Sequence, residues 1–490
     1  MNKVKSIVIV GGGTSGWLAA AYLSKNFPLI SVTVVDKEVG SPIGVGEATL
    51  LNFKAFMDEC GFSVHDWFHE IDAGYKSGIL FSNWEEPGHE IWHPFFKGNR
   101  KLSENLHLHD VWTLSQEYDF KKYALSHYDS SIIHNTVDVS AVDTHYGYHV
   151  DCTKLVKFVQ GQLENKISII RSEVVDVIYN GDNIDYLMLK NGDKITGSLF
   201  VDCTGFKGLL RTAKKRIDLS GRLFCDTAIA CPVPYKDKSI EFKPYATCDA
   251  VDHGWVWKIG VASRIGSGLV FNRNITSIDE AKDYFVNYWD NRIDRNDIRV
   301  IDWTPFYNED QWHGNVVSIG LSAGFIEPLE STGIGLITGG ITQLSNAIQE
   351  LCYSQDVVDY FNLQMKLYFE DSIDFVSMHY AKTNRTTKFW SWVKDNFKPS
   401  EKMEYYVEQL KDGNMTLPYN GRFNSMFVGG NWTTMLAQMG YSIASRNIGI
   451  DKSTANKIIE TNYIKNEKFR HVWSRKHSDE IERLSAFYKL

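Results

Sequence analysis

Residues 11–16 read Gly-Gly-Gly-Thr-Ser-Gly, and the spacing Gly11-x-Gly13-x-x-Gly16 is compatible with few folds. The preceding stretch, Val4 to Val10, is a short apolar run of the buried-strand kind, and Ser15 to Lys25 after it is Ala-rich and helical. A second buried strand covers Val32 to Val35 and ends at Asp36, twenty residues after Gly16. Strand, glycine turn, helix, strand and acid in that order make a βαβ unit suited to a dinucleotide. The glycines permit a tight turn and let backbone N–H groups approach a pyrophosphate, which the helix N-terminus stabilises. Gly11, Gly13, Thr14, Ser15, Gly16 and Asp36 are therefore candidate cofactor contacts, Asp36 through the hydroxyls of a ribose. A glycine-rich loop without a ligand is the plainer alternative, and the ordered context weighs against it.

Composition narrows the partners. At a net charge of −8 with only short basic runs, the chain lacks the basic face of a nucleic-acid binder. Its 7 cysteines show no C-x-x-C spacing and no zinc pattern, so no metal is expected; they read as reduced thiols of a cytoplasmic protein. Two lysines and an apolar run at the start faintly suggest a signal peptide. Gly11 to Gly13 interrupts that run and no small-residue cleavage site follows, so targeting is rejected. No apolar run is long enough to span a bilayer, and no membrane is expected.

The 490 residues suffice for a large domain with an elaborated second lobe. Tyr75 to Trp84 reads as one strand, with Tyr75, Ser77, Ile79 and Phe81 on one side and Lys76, Gly78, Leu80 and Ser82 on the other. Asn180-Gly181 and Asn191-Gly192 mark hairpin turns between Ile167 and Ile195. Ser277 with Glu280 is a capping-box pattern before a helix through Tyr288, and most segments from Gly333 onward read helical. The expected class is α/β, with a Rossmann-like dinucleotide-binding unit, further sheet segments and a helical C-terminal lobe beyond a soft boundary near Cys352.

The glycine motif alone does not separate FAD from NAD. Val201-Asp202-Cys203-Thr204-Gly205 resembles the late strand and turn that return to the flavin in flavoprotein monooxygenases, and Asn315 to Gly320 resembles their strand and turn near the ribityl chain. No second GxGxxG marks a nicotinamide domain, so electrons would arrive from outside as reduced flavin.

Beyond these, the sequence resembles the flavin-dependent tryptophan halogenase family over most of its length. The resemblance runs through Gly11 to Trp17, Gly44-Val45-Gly46-Glu47-Ala48-Thr49, Lys76 to Trp84, and His93-Pro94-Phe95. It continues through Asp202 to Leu210 and Gly254-Trp255-Val256-Trp257-Lys258-Ile259, and closes with Gly324 to Gly333. The W-x-W-x-I and P-L-E-S-T-G elements are its specific parts.

The resemblance implies an α/β, GxGxxG Rossmann-like FAD-binding monooxygenase fold with a β-sheet substrate layer and a helical C-terminal lobe. Residues 1–350 would form the FAD-binding module with an interleaved substrate and halide region, and 351–490 the lobe covering the substrate chamber. It also implies an enzyme that uses reduced FAD (FADH2), oxygen and a halide to make hypohalous acid. That oxidant crosses a protected tunnel to Lys76 and meets an aromatic substrate there. Lys76 is the implied catalytic lysine, although a lysine's usual place is the surface. Glu330 is the implied acceptor of the substrate's proton, and its plainer role is a helix-start carboxylate. Thr332 and Gly333 would hold the halide through backbone N–H groups beginning at Ser331. Trp255 and Trp257 would keep substrate away from the flavin, or could be one buried strand face. His93, Pro94, Phe95, Ser331 and Trp432 would line the tunnel or chamber. Gly46, Glu47, Ala48 and Thr49 would belong to a strap over the flavin, and Asp202 and Gly320 to the turns beside it. The chain departs from the family at Gly260, where a proline usually follows the isoleucine, which loosens the backbone there.

The C-terminal-lobe residues that hold tryptophan's ammonium and carboxylate in the family are not identified in this sequence, and free tryptophan is not taken as the substrate. Indoles, phenols or related aromatics are therefore expected as substrates, with bromide or iodide ahead of chloride. A separate flavin reductase is the expected partner, and homo-oligomerisation is left open. The rival readings are an FAD-dependent aromatic monooxygenase, which would not need Lys76, and a flavin-binding subunit without activity.

Overall fold

The computed structural model describes residues 1–37, 47–95, 101–103, 106–115, 134–139, 146–210, 215–414, 418–421, 425–444 and 449–487. Chain order and compact units do not coincide. One unit combines Met1–Ala73, Val150–Asp226 and Ile301–Glu370; the other combines Gly74–His149, Thr227–Val300 and Asp371–Leu490.

The first unit is built on a six-stranded sheet. Its order is Ser168–Arg171, Ser31–Asp36, Ser6–Val10, Leu199–Asp202, Val316–Ser318 and Trp312–His313. The first five strands run parallel and the last is antiparallel. Their apolar character follows from burial on both faces. Val8, Val10 and Phe200 join a core with Ile184, Leu187 and Leu189 of the hairpin layer. The helix Thr14–Asn26 buries Trp17, Leu18 and Ala19 to Ala21. The expected hairpins are present: Val174–Asn180, Asn183–Leu189 and Lys194–Ile195 pair antiparallel, with Gly181 and Gly192 at positive φ. Strand order reverses between Ser6–Val10 and Leu199–Asp202, and α/β sheets of this kind bind ligands at the carboxyl ends of the strands flanking such a point.

The second unit carries a seven-stranded sheet. Its order is Arg299–Asp302, Thr227–Val233, Arg264–Phe271, Gly254–Val261, Ala246–Val251, Gly78–Ser82 and Glu90–Pro94. The helix Ile278–Tyr288 opens with the Ser277/Glu280 capping box and covers one face, where Val256, Leu269 and Phe271 meet Ala281 and Phe285. Trp255 and Trp257, one residue out of phase with Val256, project from the other face. Helices Lys388–Asn396, Glu401–Lys411, Gly429–Gln438, Lys452–Trp473 and His477–Phe487 also belong to this unit.

The single strand expected over Tyr75 to Trp84 is in fact two. Gly74–Lys76 pairs with Gly147–Val150, whereas Gly78–Ser82 joins the large sheet between Ala246–Val251 and Glu90–Pro94. Ser77 makes the corner, donating its N–H and hydroxyl to the Pro244 carbonyl at 2.7 Å each. Apolar alternation continues through the corner, which is why it is invisible in the residue pattern. No described helix is long and apolar enough to cross a membrane, and no cluster of His, Cys, Asp or Glu among the described residues could hold a metal ion.

Candidate active site

In the first unit the glycine turn is crowded on one side and open on the other. Gly11 has φ +111° and donates its N–H to the Val35 carbonyl at 2.9 Å; a Cβ there would overlap the Cys203 carbonyl. A Cβ on Gly12 would overlap the Asp36 carboxylate, and one on Gly16 would overlap the Gly11 carbonyl. At Gly13 the same Cβ would meet nothing within 4 Å. Gly13 is also the N-cap of the helix Thr14–Asn26, with no side-chain cap and no acid in the first turn. A turn wound this tightly, with its free side at a helix N-terminus lacking a built-in anion, fits a pyrophosphate.

Asp36 is 8% exposed. Burial pushes its carboxyl up, against the pull of Arg171 at 3.3 Å and the Gly12 N–H. Arg171 ends the neighbouring parallel strand directly beside Asp36 and lies over Trp17. Sequence reasoning missed it because only strand register brings the two together. Asp202 is fully buried: one carboxylate oxygen accepts from the Thr204 N–H and hydroxyl, the other from the Leu210 N–H at 2.8 Å. It therefore shapes the turn after its strand. Gly320, at φ +77°, lies against Ser15, where a Cβ would sit 2.8 Å from the serine Cβ. Glu47 accepts from the Cys152 N–H at 3.4 Å, and Ala48 and Thr49 are buried. Gly46, with Gly44 and Val45, lies outside the described residues.

The segment 327–333 of the same unit folds as a 3₁₀ turn, Pro328–Glu330, followed by the helix Thr332–Ala347. Ser331 joins them in the left-handed region at φ 59°, a conformation a serine rarely adopts. Glu330 and Glu327 are both buried carboxylates. The buried Thr332 hydroxyl has no hydrogen-bond partner among the described residues, and a Cβ on Gly333 would meet nothing within 4 Å. A buried donor at an uncapped helix start beside open space is an arrangement suited to a small anion.

In the second unit Lys76 has no exposed surface, and its Nζ lies 4.7 Å from the centroid of the Phe95 ring. Phe95 is anchored by its N–H to the Ser77 carbonyl at 2.7 Å. Pro94 and His93 lie opposite Gly78 and Ile79 on the edge strand, where a proline costs no ladder bond. The His93 Nε2 meets the Asn431 amide nitrogen at 2.9 Å, and its ring packs near Phe375 and Phe427. Phe375 stacks on Phe427 at 4.0 Å and receives the edge of Trp432, which itself stacks on Tyr406. Phe375, Phe427 and Asn431 carry no motif and were not legible. Lys402 and Asp371 form a buried ion pair, and Asp371 also accepts the Phe427 N–H at 2.8 Å.

Trp255 and Trp257 are both buried, 6.4 Å apart between ring centroids. Trp255 donates to the Tyr380 hydroxyl at 3.1 Å. The Trp257 indole N–H has no partner among the described residues, and its ring occupies the space over Gly268, the cross-strand partner that any side chain would fill. Gly260, where the family usually has proline, is not at positive φ and supplies space. A Cβ there would stand 2.9 Å from the Phe242 ring and 3.0 Å from the Tyr235 hydroxyl. Phe242 fills the place a proline ring would take.

Residues 6–451 match the family model described as Tryptophan halogenase. The sequence is 32% identical over 449 residues to Tryptophan 6-halogenase ThaL of Streptomyces albogriseolus, covering 86% of this chain and 83% of that protein. Among solved structures, the Tryptophan 6-halogenase SttH from Streptomyces toxytricini superposes with a TM-score of 0.87 at 25% identity, over 98% of this chain and 100% of the other. BrvH, a flavin-dependent halogenase from Brevundimonas sp. BAL3, gives 0.87 at 25% identity, over 99% of this chain and 100% of the other.

Proposed function

The chain belongs to the tryptophan halogenase family and is a flavin-dependent halogenase, and from that premise we propose that it halogenates indole- or phenol-type aromatics through Lys76. Bound reduced FAD, delivered by a separate reductase, supplies with oxygen the oxidising equivalents that convert halide to hypohalous acid. Gly11, Gly13, Thr14, Ser15, Gly16, Asp36, Glu47 to Thr49 and Gly320 hold the cofactor, and Asp202 serves it through the turn it shapes. The N–H groups of Thr332 and Gly333 hold the halide. Trp255 and Trp257 keep the aromatic away from the cofactor.

The ammonium of Lys76 donates a hydrogen bond to the oxygen of hypohalous acid. As the aromatic π pair forms the carbon–halogen bond, the halogen–oxygen bond breaks and its pair passes to oxygen. That oxygen takes a proton from the ammonium and leaves as water. The Glu330 carboxylate accepts the ring proton, which restores aromaticity. His93, Pro94, Phe95 and Trp432 line the substrate chamber, and Ser331 turns the chain into the halide-binding helix. The aromatic wall of Phe375, Phe427 and Trp432 supports a flat substrate. The charged pair behind that wall, Lys402 and Asp371, is spent on itself, which supports an aromatic without amino-acid handles.

The observation that carries this reading is the complete burial of Lys76 against Phe95. Burying an ammonium is costly, and a hydroxylase has no use for one. The test is mass spectrometry of an indole and a phenol incubated with enzyme, FAD, a flavin reductase and bromide. A bromine isotope doublet on either aromatic is expected; a gain of one oxygen without bromine would overturn the proposal in favour of hydroxylation.

A further inference from the structure

Two histidines lie buried in the second unit near Lys76, and they differ in one respect. His477 uses both nitrogens: Nε2 accepts the Tyr75 N–H at 3.1 Å, and Nδ1 meets the Phe242 carbonyl at 3.3 Å. His149 uses one. Its Nδ1 lies 3.0 Å from the Gly260 carbonyl. A carbonyl only accepts, so Nδ1 carries the proton and Nε2 presents a lone pair. That Nε2 is fully buried and has no hydrogen-bond partner among the described residues.

Register shows where the side chain stands. In the antiparallel pair, Lys76 lies opposite Gly147 and His149 lies opposite Gly74. Cross-strand partners share a sheet face, so Lys76 and His149 are diagonal neighbours on one face, each facing a glycine. Neither glycine adds a side chain to that face, and the Phe242 ring reaches it beside Gly74. The charged and titratable groups acting on His149 are Lys76 and His477, and both, after burial itself, oppose a charge on it. A neutral imidazole with a fixed tautomer thus shares a sheet face with an ammonium and keeps an unused acceptor lone pair.

We propose that His149 is a positioning residue for Lys76: its imidazole is held by the Gly260 carbonyl, and its Nε2 lone pair accepts from a water that takes an N–H of the Lys76 ammonium, which aims the remaining N–H groups at hypohalous acid. This rests on the catalytic reading of Lys76. The carbonyl that sets the imidazole belongs to Gly260, the residue whose missing side chain makes room for Phe242.

The test compares His149→Leu, His149→Gln and Lys76→Met with wild type by steady-state bromination from neutral to alkaline pH. Gln returns an acceptor near the Nε2 position; Leu does not. The expected result for His149→Leu is a kcat about 10- to 10²-fold lower with KM for the aromatic unchanged. Its alkaline limb moves to lower pH, because a buried ammonium without its acceptor gives up its proton more readily. His149→Gln recovers part of the rate and moves the limb back. Wild-type kcat and pH profile in His149→Leu, or equal losses in both variants with unmoved limbs, would reduce His149 to a space-filler and overturn the proposal. Should Leu fail to fold, an unmoved limb in His149→Gln together with a 10²-fold loss is the overturning result. Bromination surviving in Lys76→Met would instead sink the reading of Lys76 itself.

Discussion

The Lys76 ammonium lies over the Phe95 ring, 4.7 Å from its centroid, with no part of the lysine exposed. A desolvated cation held by an aromatic face gains about 2 kcal/mol from the ring quadrupole. Phe95→Leu keeps the apolar volume and removes that attraction. The expected coupling between Phe95→Leu and Lys76→Met, from a double-mutant cycle in urea unfolding, is about 1–2 kcal/mol. A coupling near zero would mean the ring is only packing.

The glycine turn gives two opposite expectations within six residues. Gly13→Ala puts its methyl group into open space, so the fold keeps its stability while flavin affinity falls. Gly16→Ala puts its methyl group on the Gly11 carbonyl and costs about 1–3 kcal/mol of stability. Thermal melting beside a flavin-fluorescence titration separates the two.

Acid stability is set in part by His477. Burial lowers its imidazole to about 3 from the ordinary 6.5. Between those values the unfolded chain binds a proton that the native chain does not, so stability is full above about 6.5 and falls as pH drops toward 3. This group contributes a slope of about 1.4 kcal/mol per pH unit. His149 is lowered in the same direction and adds to it. In His477→Gln the pH dependence of urea unfolding over this range flattens by about one proton.

Asp36 works the other way. Its carboxyl is raised by burial, so the native state holds the proton more tightly than the unfolded chain does. Stability from this group is present at acid pH and is lost as pH rises through the elevated value. Asp36→Asn is therefore expected to hold or raise the melting temperature at neutral pH while weakening flavin binding at least tenfold. A lower melting temperature would show the Arg171 contact outweighing the burial cost.

What was legible in the sequence was local. The turn Gly11 to Gly16 and the acid at Asp36 lie within one βαβ unit, so spacing alone exposes them. The family elements carried Lys76, Glu330 and the paired tryptophans by resemblance. What escaped depends on contacts between distant segments. His149 comes onto the face of Lys76 only through strand pairing, and Arg171 meets Asp36 only through parallel register. The corner at Ser77 hid inside an uninterrupted apolar alternation. Gly260 reads as a loosened backbone until Phe242 is seen filling the space beside it.

The most direct measurement follows both halves of the reaction in Lys76→Met. Reduced-flavin consumption and free hypohalous acid, trapped by a soluble dye, are read alongside brominated indole. The account predicts that flavin consumption continues and trapped oxidant persists, while aromatic bromination falls at least about 10²-fold. Brominated indole formed at the wild-type rate by Lys76→Met would contradict it.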